Sequence, residues 1–120
     1  MKALSILGVL LLLTGWATAP NAAQVKVTAN VTKTMVADQD RWGGCIATLD
    51  VKLAAKGLNC PGKSVSFSCS GDHTSKDIAY RMFDMAQMAY ALGHQVVVTV
   101  DDRKKHNGYC YANRIEVKKK

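Results

Sequence analysis

From residue 24 to residue 36 the chain alternates: Val25, Val27, Ala29, Val31 and Met35 fall on one side, Lys26, Thr28, Asn30, Thr32 and Thr34 on the other. A period of two predicts a long strand with one buried face. A second strand is expected from Cys45 to Leu53, with Cys45, Ala47, Leu49, Val51 and Leu53 sharing a face. A third runs from Ser64 to Cys69 with Val65 and Phe67 inward. Turn residues separate them: Asp38 to Gly44 before the second strand, and Gly57, Asn59, Pro61 and Gly62 before the third.

The period then changes. Ser75 to Leu92 reads as one helix, with Thr74 and Asp77 as a capping pair and Gly93 as the stop. Its apolar residues form two adjacent stripes, Ile78, Met82, Met85, Ala89, Leu92 and Ala79, Phe83, Ala86, Tyr90. Two stripes are more than a surface helix needs for its own domain, so a helix shared with a neighbouring subunit is weighed against a methionine-rich core helix. Asp77, Arg81, Asp84 and Gln87 make the polar face, with Asp77 to Arg81 an expected i,i+4 ion pair. After the helix come a strand from Gln95 to Val100, a charged turn from Asp101 to Gly108, and a last strand from Tyr109 to Val117. In that strand Tyr109, Tyr111, Ile115 and Val117 share one side, Cys110, Arg114 and Glu116 the other.

The fold class is therefore mainly β with one long helix (α+β). Three strands, a helix and two strands is the order of a five-stranded OB-fold barrel, with the helix between strands 3 and 4. An antiparallel α+β sandwich is the alternative.

Residues 1–23 read as a secretory signal peptide: a basic Lys2, an apolar run from Ala3 to Leu13, then small residues with cleavage near Ala23. The apolar run is too short to cross a membrane. Residues 24–120 form one domain, secreted or periplasmic. They carry 15 basic and 9 acidic residues, a net charge of +6, with Arg103, Lys104, Lys105 and Lys118 to Lys120 among the excess. Such charge meets acidic sugars, anionic lipid or nucleic acid, of which nucleic acid is not the expected partner.

Four cysteines in an exported domain of this size read as two disulfides. Three pairings are open. Cys45 with Cys69 is favoured because both fall on the inward parity of neighbouring strands, which leaves Cys60 with Cys110. The spacings contain no paired zinc-ligand motif, and no metal or cofactor is expected.

The candidate chemistry is modest. Asp40, Arg41 and Trp42 place an aromatic ring among acid, base and glycine, a set able to stack on a sugar while bonding its hydroxyls, although a tryptophan at a strand start commonly just packs on the barrel end. Tyr109 and Tyr111 are the second choice. Asp72 and His73 read as a helix-entry turn rather than half of an acid/base pair, and no catalytic residues are expected.

The strand with Cys45-Ile46, the return to Cys69, the helix with Met85-Ala86-Gln87-Met88-Ala89-Tyr90, and Gly93 followed by Gln95-Val96-Val97-Val98 together resemble the B subunits of bacterial AB5 toxins. The likeness is to the subtilase-cytotoxin and typhoid-toxin type and, more distantly, to the cholera and heat-labile enterotoxin B subunits. It implies a virulence protein: a homopentamer of barrels with helices about a central pore, binding host cell-surface glycans and delivering a toxin A subunit. Asp77, Arg81, Phe83, Asp84, Gln87 and Tyr90 would then be the interface and pore residues. The sialic-acid-contacting serine and tyrosine of that type have no counterpart here: the first strand offers Lys26 and Thr28, and Thr99 stands where an aromatic is expected. Cys60 and Cys110 likewise replace a C-terminal cysteine pair. Two other classes compete. One is an OB-fold module that binds a polyanion or partner protein; the other is a small hydrolase or nuclease using His73, His94 or His106.

Overall fold

A computed structural model describes Gly15, residues 24–38 and residues 40–119. The leader expectation lies outside the described residues, apart from Gly15. The described residues form five strands and one long helix: β1 (Gln24–Val36), β2 (Cys45–Leu49), β3 (Ser64–Ser66), α1 (Lys76–Leu92), β4 (Gln95–His106) and β5 (Tyr109–Lys118). The strands close into a ring in the order β1-β2-β3-β5-β4. All neighbours are antiparallel except β3 and β5, which run parallel over Val65–Cys110 and Ser66–Tyr111.

β1 serves two neighbours because it is long: residues 24–30 pair with β4, and residues 31–36 pair with β2 across an irregularity between Val31 and Lys33. Its alternation follows the sequence, with Val27, Ala29 and Val31 buried. β2 is shorter than expected. The Asp50 carboxylate accepts both the backbone N–H and the side-chain amide of Asn30, each at 2.9 Å, and the chain leaves the sheet for a short 3-10 turn at Leu53–Lys56. Those bonds hold the Asp50 carboxyl below its usual pKa. β3 also stops early, because Ser68 turns left-handed (φ 63°) and donates its N–H to Ser66 Oγ at 3.2 Å.

The charged segment after Val100 is strand, not turn. β4 continues to His106 through an irregularity between Asp101 and Lys105. Buried Asp101 accepts the Arg103 backbone N–H at 3.0 Å and its guanidinium at 3.1 and 3.2 Å, and Asp102 accepts the Asn59 N–H at 2.9 Å. The reversal is Asn107-Gly108 alone, both at positive φ, the two-residue turn that suits strand twist. β5 slips at Asn113, where Thr99 pairs with Arg114 but Val100 with Ala112. The slip moves Cys110 and Ala112 inward with Ile115, and puts Tyr111 on the outer side.

α1 is capped by Ser75, one residue after the expected Thr74: Ser75 Oγ accepts the Ile78 N–H at 3.4 Å. Gly93 ends it with φ 65°, as expected. Ala79, Met82, Phe83, Ala86 and Ala89 face the core, so only part of each stripe is used. Phe83, expected on a shared face, is 3% exposed and belongs to the ring's own interior. Tyr90 and Leu92 remain 53% and 62% exposed, with Ile78 and Met88 also open. Among the described residues Asp77 and Arg81 make no ion pair.

Both expected disulfides form, Cys45–Cys69 and Cys60–Cys110. Among the described residues no helix is long and apolar enough to cross a membrane. Two buried disulfides fit an oxidising compartment.

Truncating Phe83 removes a whole ring from the interior, so Phe83→Ala is expected to cost about 4 kcal/mol. Urea unfolding measures this, and a loss under about 1 kcal/mol would contradict the placement of that stripe.

Candidate functional site

The β4–β5 turn meets two other connections: the β1–β2 loop, through a hydrogen bond between Trp42 and Asn107, and the β2–β3 loop, across a shallow depression. The β1–β2 loop is shaped by consecutive left-handed residues, Trp42 (φ 54°), Gly43 (φ 74°) and Gly44 (φ 83°). Its turn closes through Gly43 N–H to Asp40 carbonyl at 3.2 Å and Gly44 N–H to Arg41 carbonyl at 2.8 Å. Gly43 permits this because a Cβ there would collide with Ser66 Oγ and lie 2.7 Å from His106 Cδ2. The backbone thus lies directly on the His106 ring.

Trp42 then reaches across to the hairpin, its N–H donating to Asn107 Oδ1 at 3.0 Å. That bond spans 65 residues of sequence and brings the first-choice candidates Asp40, Arg41 and Trp42 to the end where Tyr109 begins β5. Beside the hairpin a depression of about 330 Å³ is lined by Lys63, Ser64, Asn107 and Tyr109 together with Pro61, Gly62 and Gly108. The Cys60–Cys110 bridge fastens its two walls, one residue before Pro61 and one after Tyr109. Its size suits one or two sugar rings, and it mixes an aromatic face with an ammonium, a hydroxyl and an amide. On the other flank of the turn a smaller hollow of about 190 Å³ is lined by Asp38, Asp40, Ser70, Lys76 and Tyr80. Trp42 and Tyr109 are half-buried, with ring surface to offer; Asp40 and Arg41 are exposed.

Tyr111 does not join them. It is 4% exposed, under the His73 ring at 5.3 Å between centroids. Burial raises its phenol pKa, partly offset by a hydrogen bond with Thr74.

Sequence reasoning missed the support beneath the rim. His106, 7% exposed, lies 3.0 Å by Nε2 from Ser68 Oγ and 3.7 Å by Nδ1 from Asp72 Oδ2, with the His73 ring 4.5 Å away. Ser68 Oγ also accepts the His73 N–H at 2.9 Å. The signal was faint: two histidines 33 positions apart carry no spacing rule, and only the Asn-Gly turn after His106 hinted at a strand end. The line Ser68, His106, Asp72 has the residue order of a hydrolytic relay, but Ser68 is 0% exposed and its oxygen is occupied by the His73 amide. No substrate carbonyl can approach it, so the cluster is built as support. His94 stands apart, bonded by Nδ1 to the Lys118 carbonyl at 3.0 Å. Among the described residues no group of side chains is arranged to hold a metal ion.

No known protein family, curated protein or solved structure matches the chain. The geometry of the site therefore carries the functional argument.

Gly43→Ala adds a methyl where φ is positive and His106 is in contact, at an expected cost of about 3 kcal/mol. Thermal or urea unfolding reads it, and a change within about 0.5 kcal/mol would contradict the packing of the loop on the histidine.

Proposed function

We propose that this protein is a secreted glycan-binding module that works as a homopentamer and delivers a toxin A subunit to host cells. The observation that supports binding is the Trp42–Asn107 hydrogen bond, which holds two loops so that Trp42 and Tyr109 rim one end of the ring beside Lys63, Ser64 and Asn107. Aromatic faces pack on the apolar side of a pyranose while the polar groups bond its hydroxyls. The sites are shallow, and fivefold presentation makes weak sites effective by raising local concentration.

Two features favour assembly. One is the open apolar surface of α1, where Met88 and Leu92 border a groove of about 300 Å³ with His94, Val117 and Lys119. The other is the outer edge of β5: beyond Tyr111 it pairs with β4 on one side and with no strand on the other, among the described residues. An open edge beside an apolar groove suits strand pairing with a second copy. The ring order with one parallel contact agrees with the OB-fold, in which the loops between strands 1–2 and 4–5 bind oligosaccharides and oligonucleotides. The resemblance to AB5 toxin B subunits supplies the pentamer and the A-subunit role. Tyr90 lies on the open face, whereas Phe83 is already spent on the core.

A second reading has its own observation. Exposed Arg103, Lys104 and Lys105 on β4, with the lysines at the chain end, favour a module for a polyanion or acidic partner. Affinity falling steeply with salt would mark that reading.

On a glycan array at neutral pH, Trp42→Ala and Tyr109→Ala are each expected to weaken binding at least tenfold, about 1.4 kcal/mol, with Tyr111→Phe close to the parent. Equal binding by all three would overturn the rim as the site. Native mass spectrometry of the oxidised chain is expected to give a mass of five copies, and Met88→Glu with Leu92→Glu a single copy. A monomer at high concentration in the unmutated protein would overturn the pentamer.

A further inference from the structure

His106 is the one buried histidine beneath the proposed rim, and its surroundings are arranged for a neutral ring. Ser68 Oγ accepts the His73 N–H, so its own proton is free to donate to His106 Nε2, leaving Nδ1–H directed at Asp72. A second proton on the ring would make Nε2 a donor, so the Ser68 hydroxyl, which already accepts the His73 N–H, would have to turn its own proton away and accept a second bond. The charge would sit under the Gly43 backbone, with Ser66 and Ser68 as uncharged neighbours. Titratable groups facing His106 are Asp40 on the β1–β2 loop, Asp72 and His73 on the β3–α1 connection, and, beyond His73, Tyr111 on β5; its chain neighbour Lys105 is exposed. Asp72 is 3.7 Å away with a side chain 60% exposed, too open to neutralise a buried imidazolium fully.

We propose that the His106–His73 pair is an acid-operated latch on the Trp42 loop: protonation of His106 expels its ring from beneath Gly43, lifts the Arg41–Gly43 turn and breaks the Trp42–Asn107 bond. Release of a bound glycan on acidification then follows, and that last step rests on the reading of the rim as a binding site. The latch is local because the parts it joins are loop ends. The Gly43 carbonyl also accepts the Ser70 N–H at 3.0 Å, so lifting the turn loosens the β3–α1 connection, while α1 and the ring keep their own bonds.

The direction of the pH effect follows from burial, which lowers the His106 pKa below its ordinary 6.5, with the neighbouring His73 adding to the fall and Asp72 and Asp40 opposing it. The folded loop binds this proton less readily than the unfolded chain. Its stabilisation is complete above about 6.5 and declines as pH falls through and below that value.

The test uses the full chain with Trp16→Phe, which leaves Trp42 as the sole tryptophan. Trp42 emission is followed from pH 8 to pH 4.5, with far-ultraviolet circular dichroism recording the ring. A red shift is expected below pH 6.5 while the dichroism holds. His106→Gln should abolish it, His73→Gln should move its midpoint up by removing a like charge, and Asp72→Asn should move it down by removing the counter-charge. Flat emission, a transition that persists in His106→Gln, or loss of dichroism at the same pH would overturn the latch. If His106→Gln does not fold, the opposite shifts of the other two variants carry the test, and shifts of the same sign or none overturn it. None of these readings needs a glycan, so absence of binding at neutral pH would sink the rim while leaving the latch standing.

Discussion

The contact between the Gly43 backbone and the buried His106 ring is the constraint on which the working end depends. It exists because position 43 has no side chain and a left-handed backbone, and because β4 runs long enough to carry a histidine under it. From that contact follow the Trp42 turn, its bond to Asn107 and the placing of the aromatic rim. Exposed loops ordinarily spend entropy to bind. Here the ordering is already done by interior contacts, so a ligand bound as proposed would meet a largely pre-shaped rim.

The chain divides its apolar residues between two purposes. Val27, Leu49, Phe67, Phe83 and Val98 fill the ring. Ile78, Met88, Tyr90 and Leu92 stay exposed on the same helix. A helix carrying both sets ties the stability of the single ring to α1 and leaves exposed the residues that the proposed assembly would cover. The two disulfides divide the labour similarly. Cys45–Cys69 ties β2 to the start of the helix connection, and Cys60–Cys110 clamps the depression at the hairpin.

Much of this was legible from side-chain periodicity. The alternation of β1 gave its full extent, Gly93 marked the helix end, and inward parity selected Cys45 with Cys69, which left Cys60 with Cys110. What failed did so where a few hydrogen bonds overrode composition. Asp101 and Asp102 look like turn residues, yet bonds from Arg103 and Asn59 let β4 continue past them. One extra residue at Asn113 reversed the parity of Cys110 and Tyr111, and a slip of one residue leaves no mark in a pattern of period two. Phe83 and Tyr90 have equal claims in the sequence; only packing chose between them. Of the candidate site, Trp42 and Tyr109 were visible as aromatics beside turns. Their meeting at one end, and the histidine pair below, depend on contacts across more than thirty residues that no local pattern encodes.

The Trp42–Asn107 hydrogen bond holds the rim in place in the protein on its own. Amide hydrogen exchange at Trp42 measures this directly, since its N–H lies on the β1–β2 loop and, among the described residues, is bonded by the Asn107 side chain alone. At neutral pH slow exchange is expected at Trp42 in the parent protein and fast exchange in Asn107→Ala. Exchange at the free-peptide rate in the parent would contradict it.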